Sequence, residues 1–242
     1  MKIQYDNFGS EIFGIKIGNV LEPHSLKLNN DIYQILAQAK KDQYTCLIVK
    51  IRTCDSFLKE EFQKVGFAEI NTQITYKLSS EMFNETRPVI SSFTFREATQ
   101  SDKQKVADIA ACSFELDHFH LDNNFHPSKC DHFYKQWAAN SCEGFADKVF
   151  VISDSDKVYA FITLHFMNGK NARVGLAAVC KEARKKGIFT NLIINTLNWC
   201  RHNKFNTLYY GTQGNNIPII KTMMKLQGNV EYEDAVMHLF WD

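Results

Sequence analysis

ARVGLAAVCKEARKKGIFTNLIINTLNW, residues 172–199, is the stretch on which the fold turns. Its first eight residues put apolar side chains on both faces, the pattern of a buried strand. From Gly187 onward the chain reads as a helix over 187–204, with Phe189, Ile193, Leu197 and Cys200 or Trp199 along one stripe. Between them Arg184, Lys185 and Lys186 stand side by side in a chain whose formal net charge is only +1. The first turn of a helix exposes unpaired N–H groups and carries about half an elementary positive charge. A glycine there lets a ligand come close to the backbone. RKKGIF therefore reads as an anion cradle, with backbone N–H groups from 185–189, flanking cations and a pyrophosphate as its natural ligand. The competing reading is a solvated basic helix start. The nucleotide-binding patterns GxxxxGK[ST] and GxGxxG are both absent.

The rest of the chain bounds this reading. Its 242 residues suit one large domain or a small-plus-large pair, and 45 % hydrophobic residues supply ample core. With 28 Lys+Arg against 27 Asp+Glu there is no chain-wide field to draw it to nucleic acid or lipid. The seven cysteines are scattered and form no CxxC pair, which fits reduced thiols in a cytosol. The first residues lack a signal-peptide run, and no stretch reaches the length of a membrane span. A cytoplasmic protein without a membrane span is expected.

Residues 11–20 read as a strand, 29–41 as an amphipathic helix, 45–51 as a buried strand, 56–67 as a helix ending near Gly66, and 70–78 as an alternating strand. Residues 79–92, polar and holding Pro88, read as a linker. Then come a strand at 93–99, a helix capped by Ser101 and Asp102, a histidine-rich loop, a helix at 130–141, and two strands within 148–166 split by the turn 153–156. After 172–204 follow a strand at 206–213, a helix at 217–226 and a closing strand at 234–241. The expected class is α+β: a mixed central sheet flanked by helices, preceded by a smaller αβ unit. The division is 1–85 and 86–242. A helix–glycine–strand rhythm near residue 70 returns at the end of the chain and hints at two related units.

Arg184-Lys185-Lys186-Gly187-Ile188-Phe189 resembles the pyrophosphate loop of the GNAT acyltransferase superfamily, Arg/Gln-x-x-Gly-x-Gly/Ala, with Phe189 where a small residue is usual. FGIKI (13–17), KVGF (64–67), HFYKQWAANS (132–141), ARVGLAAV (172–179), TLNW (196–199), GTQGNN (211–216) and NVE (229–231) are similar, in order, to the bacterial TDP-fucosamine acetyltransferases. The resemblance spans nearly the whole chain. It implies N-acetylation of a dTDP-linked 4-amino-4,6-dideoxy sugar, acetyl-CoA as cosubstrate, and a homodimer serving surface polysaccharide synthesis.

By the same resemblance, the backbone of Leu176, Ala177, Ala178 and Val179 pairs with the pantetheine arm, the loop 184–189 holds the pyrophosphate, and Gln213 and Asn216 belong to a second cofactor motif. Asn216 is equally an ordinary helix N-cap. A backbone N–H near Val179 is the candidate oxyanion donor. The family's thiolate-protonating tyrosine falls on Met223, which has no proton to give. Tyr209, Tyr210, Tyr232 or water could take over, or the chain could bind cofactor without turnover.

The stretch 116–134 holds His118, His120, His126, His132 and Cys130. Its spacing matches no zinc template closely, so no metal is expected. It reads either as a surface loop or as a wall of the acceptor pocket. In the second case His118 or His120 accepts the ammonium proton, and Phe119, Phe125 and Tyr134 stack on a base or join the core.

Overall fold

The computed structural model describes residues 2–23, 30–80, 93–155 and 157–241. Its strands are β1 (Lys2–Tyr5), β2 (Ile17–Leu21), β3 (Cys46–Arg52), β4 (Ala68–Ser79), β5 (Thr94–Glu97), β6 (Lys148–Asp154), β7 (Lys157–Met167), β8 (Asn171–Val179), β9 (Thr207–Gln213) and β10 (Asn229–Phe240). Its helices are α1 (Asn7–Phe13), α2 (Asn30–Lys41), α3 (Ser56–Lys64), α4 (Lys103–Ala110), α5 (Pro127–Asn140), α6 (Ile188–His202) and α7 (Ile217–Lys225). The architecture is α+β. All ten strands form one mixed sheet in the order β1-β2-β3-β10-β4-β9-β8-β7-β6-β5. Among the described residues no helix is long and apolar enough to cross a membrane.

The centre of that order makes the repeat explicit. Each half contains a parallel pair, β2 with β3 and β8 with β9. Each then runs through a helix into a closing strand, β4 or β10. The closing strands are exchanged: β10 pairs antiparallel with β3, β4 pairs antiparallel with β9, and the two pair with each other. The spacing is constant. Residues Cys46, Ser56 and Ala68 open β3, α3 and β4, and Thr207, Ile217 and Asn229 open β9, α7 and β10, each 161 residues later. All three pairs also end 161 residues apart.

Four local readings are corrected. Residues 11–20 are not one strand. Asp6 caps α1 by accepting from Gly9 N at 2.8 Å, Gly14 ends it in the left-handed region, and β2 starts only at Ile17. The helix near 101 is set by Thr99 and Asp102 rather than Ser101. The Asp102 carboxylate accepts from Thr99 N at 2.8 Å and from Arg96 at 2.6 and 3.0 Å. Ser79 ends β4, and Ser80 is buried with its N–H donating to Asn206 O at 2.9 Å, so neither is linker. The remaining linker, 81–92, and the expected boundary at 85/86 lie outside the described residues. The closing strand begins at Asn229, not 234.

One apolar cluster packs α2 and α3 on β3 and β10 through Ile35, Leu58, Phe62, Leu47, Val49 and Met237. A larger one takes in α6 and the α4–α5 side. Registers put α2, α3, α6 and α7 on one face of the sheet. On the other face, Phe13 of α1 stacks with Phe133 of α5 at 5.6 Å.

Candidate functional site

Between β7 and β8 the register slips at Thr163, where Gly175 and Leu176 oppose a single residue. The Thr163 hydroxyl accepts the Leu176 N–H at 2.8 Å, so that donor is not open to a ligand as the sequence reading expected. A Cβ on Gly175 would lie 2.8 Å from the same hydroxyl and 2.7 Å from His165 Nε2, which is why the bulge needs glycine. The slip also bends β8. Its pairing with β9 covers only Asn171↔Thr207 to Arg173↔Tyr209, and Val174–Val179 then diverge.

Strand alternation decides which groups face the opening. Cys180 N donates to Tyr159 O at 2.8 Å, so the polar backbone of Cys180 and Ala178 is spent on β7. That of Ala177 and Val179 turns toward the gap. Arg184 Nε donates to Val179 O at 3.2 Å, and its Nη2 reaches Cys112 O at 3.4 Å and Ser113 Oγ at 3.5 Å. Arg184 is thus a brace between the strand end and the connection after α4. The Val179 N–H keeps facing the gap.

Residues 184–187 form an exposed turn, with Lys185 at φ 64° and Gly187 at φ 77°. Two left-handed residues within three turn successive N–H groups inward, the shape of an anion-binding concavity. Helix α6 has no side-chain cap, and among the described residues no acceptor faces the backbone N–H groups from Lys185 to Thr190. Lys185 and Lys186 are exposed, and Ile188 is buried. Phe189 points inward, 5.9 Å from the Tyr210 ring and edge-on to it, so its bulk leaves the turn open. The donor set fits a diphosphate.

Tyr210 lies on the α6 face, 5 % exposed, and burial raises its pKa, so its hydroxyl stays protonated. Tyr209 is on the opposite face. Gln213 is half-buried, and its carbonyl accepts from Asn216 N at 3.0 Å. Asn216 occupies the N-cap position of α7, but its side chain makes no cap bond. Met223 is fully buried in the larger apolar cluster. It is a core residue with no proton to give.

The histidine stretch separates into distinct roles. His120 holds carboxylates at both ring nitrogens, Asp117 at Nδ1 and Asp131 at Nε2 (3.2 Å). Burial alone would lower its pKa, but the two aspartates raise it, so the imidazolium is favoured and no lone pair is left for a substrate amine. His126 caps α5, and His132 is exposed. Phe119, Phe125 and Tyr134 are core, which removes them as base-stacking rings. His118 differs: Nδ1 lies 2.9 Å from His238 Nε2, and burial first, then His238 and Lys50, hold its pKa well below the usual range. His238 escaped sequence reading because its partner is 120 residues away. The signal was a histidine on the inward parity of an apolar strand. Among the described residues no three His, Cys, Asp or Glu side chains group as a metal requires.

On the face opposite α6, Lys50, Arg52, Gln73, Arg173, Tyr209 and Tyr232 border an open floor of β3, β10, β4, β9 and β8. Arg173 donates to the Tyr232 hydroxyl at 2.6 Å, and Arg52 lies 3.7 Å over the Tyr232 ring.

Comparison with known proteins gives a consistent answer. Residues 105–228 match the model of the Acetyltransferase (GNAT) family. No curated protein matches the chain. Among solved structures, a GCN5-related N-acetyltransferase from Sphaerobacter thermophilus superposes with TM-score 0.65 at 8 % identity, covering 99 % of this chain and 75 % of that one. A tandem GNAT protein of the clavulanic acid pathway gives 0.65 at 10 % identity, covering 93 % and 75 %. The glucosamine N-acetyltransferase region of a fungal multi-domain GH3 β-N-acetylglucosaminidase gives 0.68 at 10 % identity, covering 98 % and 31 %. At such identities the likeness is one of fold.

Proposed function

Because the chain belongs to the GNAT acetyltransferase family, we propose that it acetylates the amine of a dTDP-linked 4-amino-4,6-dideoxy sugar, working as a cytoplasmic homodimer in surface polysaccharide synthesis. The observation that carries the reading is the uncapped, outward-facing turn at Gly187 beside the splayed ends of β8 and β9. Acetyl-CoA supplies the activated acyl carbon. The N–H groups of 185–190 bind its diphosphate, with Lys185 and Lys186 neutralising charge. The gap-facing backbone of Ala177 and Val179 aligns the pantetheine arm, and the Val179 N–H meets the developing oxyanion. Tyr210, a protonated hydroxyl on the α6 face, passes the amine's remaining proton to the departing sulfur and so ends the step unchanged.

For the acceptor, the floor bearing Lys50, Arg173 and Tyr232 favours a molecule with phosphate groups. A polyamine would meet like charge there. Free thiol released on mixing the protein with acetyl-CoA and dTDP-4-amino sugars tests the reading, with polyamines and peptide N-termini as comparison acceptors. Thiol release with no nucleotide-linked amine would sink the acceptor assignment. A second reading, coenzyme A binding without turnover, is favoured by Met223, which leaves α7 without the family's proton donor. It predicts binding heat with coenzyme A and no thiol release.

A further inference from the structure

Away from the cofactor turn, one polar line crosses an aromatic core. Asp122, in the connection between α4 and α5, is 6 % exposed, and its Oδ2 lies 2.6 Å from His238 Nδ1. Its Oδ1 accepts from Asn124 N at 2.9 Å and Asn124 Nδ2 at 2.8 Å. His238, on β10 and 2 % exposed, reaches His118 Nδ1 at 2.9 Å through Nε2. Phe119, Phe125 and Phe240 ring His238 at centroid distances of 6.4, 5.8 and 6.5 Å. Three titratable groups in such a setting are costly unless every proton has a place.

The proton positions follow by elimination. Burial would raise the Asp122 pKa, but hydrogen bonds from His238 and Asn124 lower it, so the carboxylate is ionised and only accepts. His238 Nδ1 therefore carries a hydrogen, and a ring holding that hydrogen alone presents a lone pair at Nε2 to His118. Two lone pairs do not face each other at hydrogen-bond distance, so the His118 hydrogen is on Nδ1. That leaves a lone pair on His118 Nε2. Among the described residues this atom has no hydrogen-bond partner, and the His118 side chain is half-buried.

We propose that Asp122 and His238 are positioning residues that fix His118 in the tautomer whose Nε2 accepts the proton of the acceptor ammonium. The proposal rests on the acetyl-transfer reading above. The ammonium gives one proton to Nε2 and keeps the electron pair. The His118 Nδ1 proton passes to His238 Nε2, and the positive charge comes to rest on His238 against the Asp122 carboxylate. The freed amine forms a C–N bond with the thioester carbon. The C–S bond breaks with its pair on sulfur, the amine's second proton ends on sulfur, and the histidine pair returns its proton to water. Burial first, then His238 and Lys50 of β3, oppose a cation on His118, so the charge is held where the Asp122 carboxylate meets it. Asp234 of β10 and Arg173 of β8 act on Lys50, and the Cys46 thiol lies near Asp122.

The test starts without substrate. In the full chain labelled with 15N-histidine, long-range 1H–15N correlations are expected to show His118 unprotonated at Nε2 and His238 protonated at Nδ1. A wild-type His118 carrying its hydrogen on Nε2 overturns the proposal. With an amine that releases thiol, His118→Gln is expected to lower kcat/KM roughly a hundredfold. Asp122→Asn and His238→Gln are expected to lower it about tenfold or more, to move the acidic limb of the pH profile, and to leave KM for acetyl-CoA unchanged. Activity scaled down with an unmoved limb also overturns it. If no amine releases thiol, the transfer reading fails, and the wild-type tautomers alone decide the relay; they decide it too if Asp122→Asn does not fold.

Discussion

The two halves of the molecule share a plan and differ at one joint. From β3 to β4 and from β9 to β10 their elements have equal lengths at a constant offset. At the entry the match ends. Strands β2 and β3 stay paired from Ile17↔Cys46 to Val20↔Val49, whereas β8 leaves β9 after three residue pairs. The sequence joining β2 to α2, residues 22–29, holds no glycine, while the joint after β8 holds Gly187 behind three cations. A zipped pair offers no open backbone donors, so the first half has no counterpart of the open joint. The unzipped pair exposes them, and the proposed cofactor contacts lie there. A bulge and a glycine are enough to make that difference.

The hardest way to break this comparison is to separate the halves. A fragment of residues 93–242 leaves β9 without β4 and β10 without partners on either side, so cooperative unfolding is expected to vanish by circular dichroism. Adding residues 1–80 should restore it. A smaller effect concerns the equivalent core positions Phe62 and Met223, both almost fully buried. Met223→Tyr places a hydroxyl in that core and is expected to cost about 1–3 kcal/mol in urea unfolding, with no gain in rate.

Next comes the joint itself. Gly187→Ala forces a Cβ into the left-handed region at roughly 1 kcal/mol, and should weaken coenzyme A binding about tenfold by calorimetry. Lys185→Gly should stabilise the free protein by up to about 1 kcal/mol, because φ 64° suits glycine better. It should also reduce affinity in a salt-dependent way.

The subtlest effect is on pH. The lowered pKa of His118 means that the unfolded chain takes up a proton near pH ~6.5 that the native state refuses, so this contribution weakens stability as pH falls below that value. The raised pKa of His120 acts oppositely. Its contribution is complete below pH ~6.5 and is lost as pH rises through the native value. His118→Gln should flatten the acidic side of a urea-midpoint profile and His120→Gln the neutral side.

Much of this was legible in residue patterns. The strand before the cations, the glycine and the striped helix are local signals, and they led to the right class. The sequence of Asp6 through Gly14 carried a helix start and stop that the apolar run at 11–20 concealed. The exchange was not legible, since β3 and β10 pair across Cys46↔Phe240 and no local rule links such distant strands. The same distance hid His238. The fate of the cations was only partly readable, because a guanidinium's partners, here Val179 O and the Ser113 hydroxyl, are set by tertiary contacts.

The exchanged strands also set a timetable for synthesis. Until residues 229–240 have been made, one edge of β3 lies bare, and its LIVKI run is the kind of apolar ribbon that recruits strays. Translation thus leaves the first half waiting for the second, and a chaperone that shields that edge would set the yield of the whole.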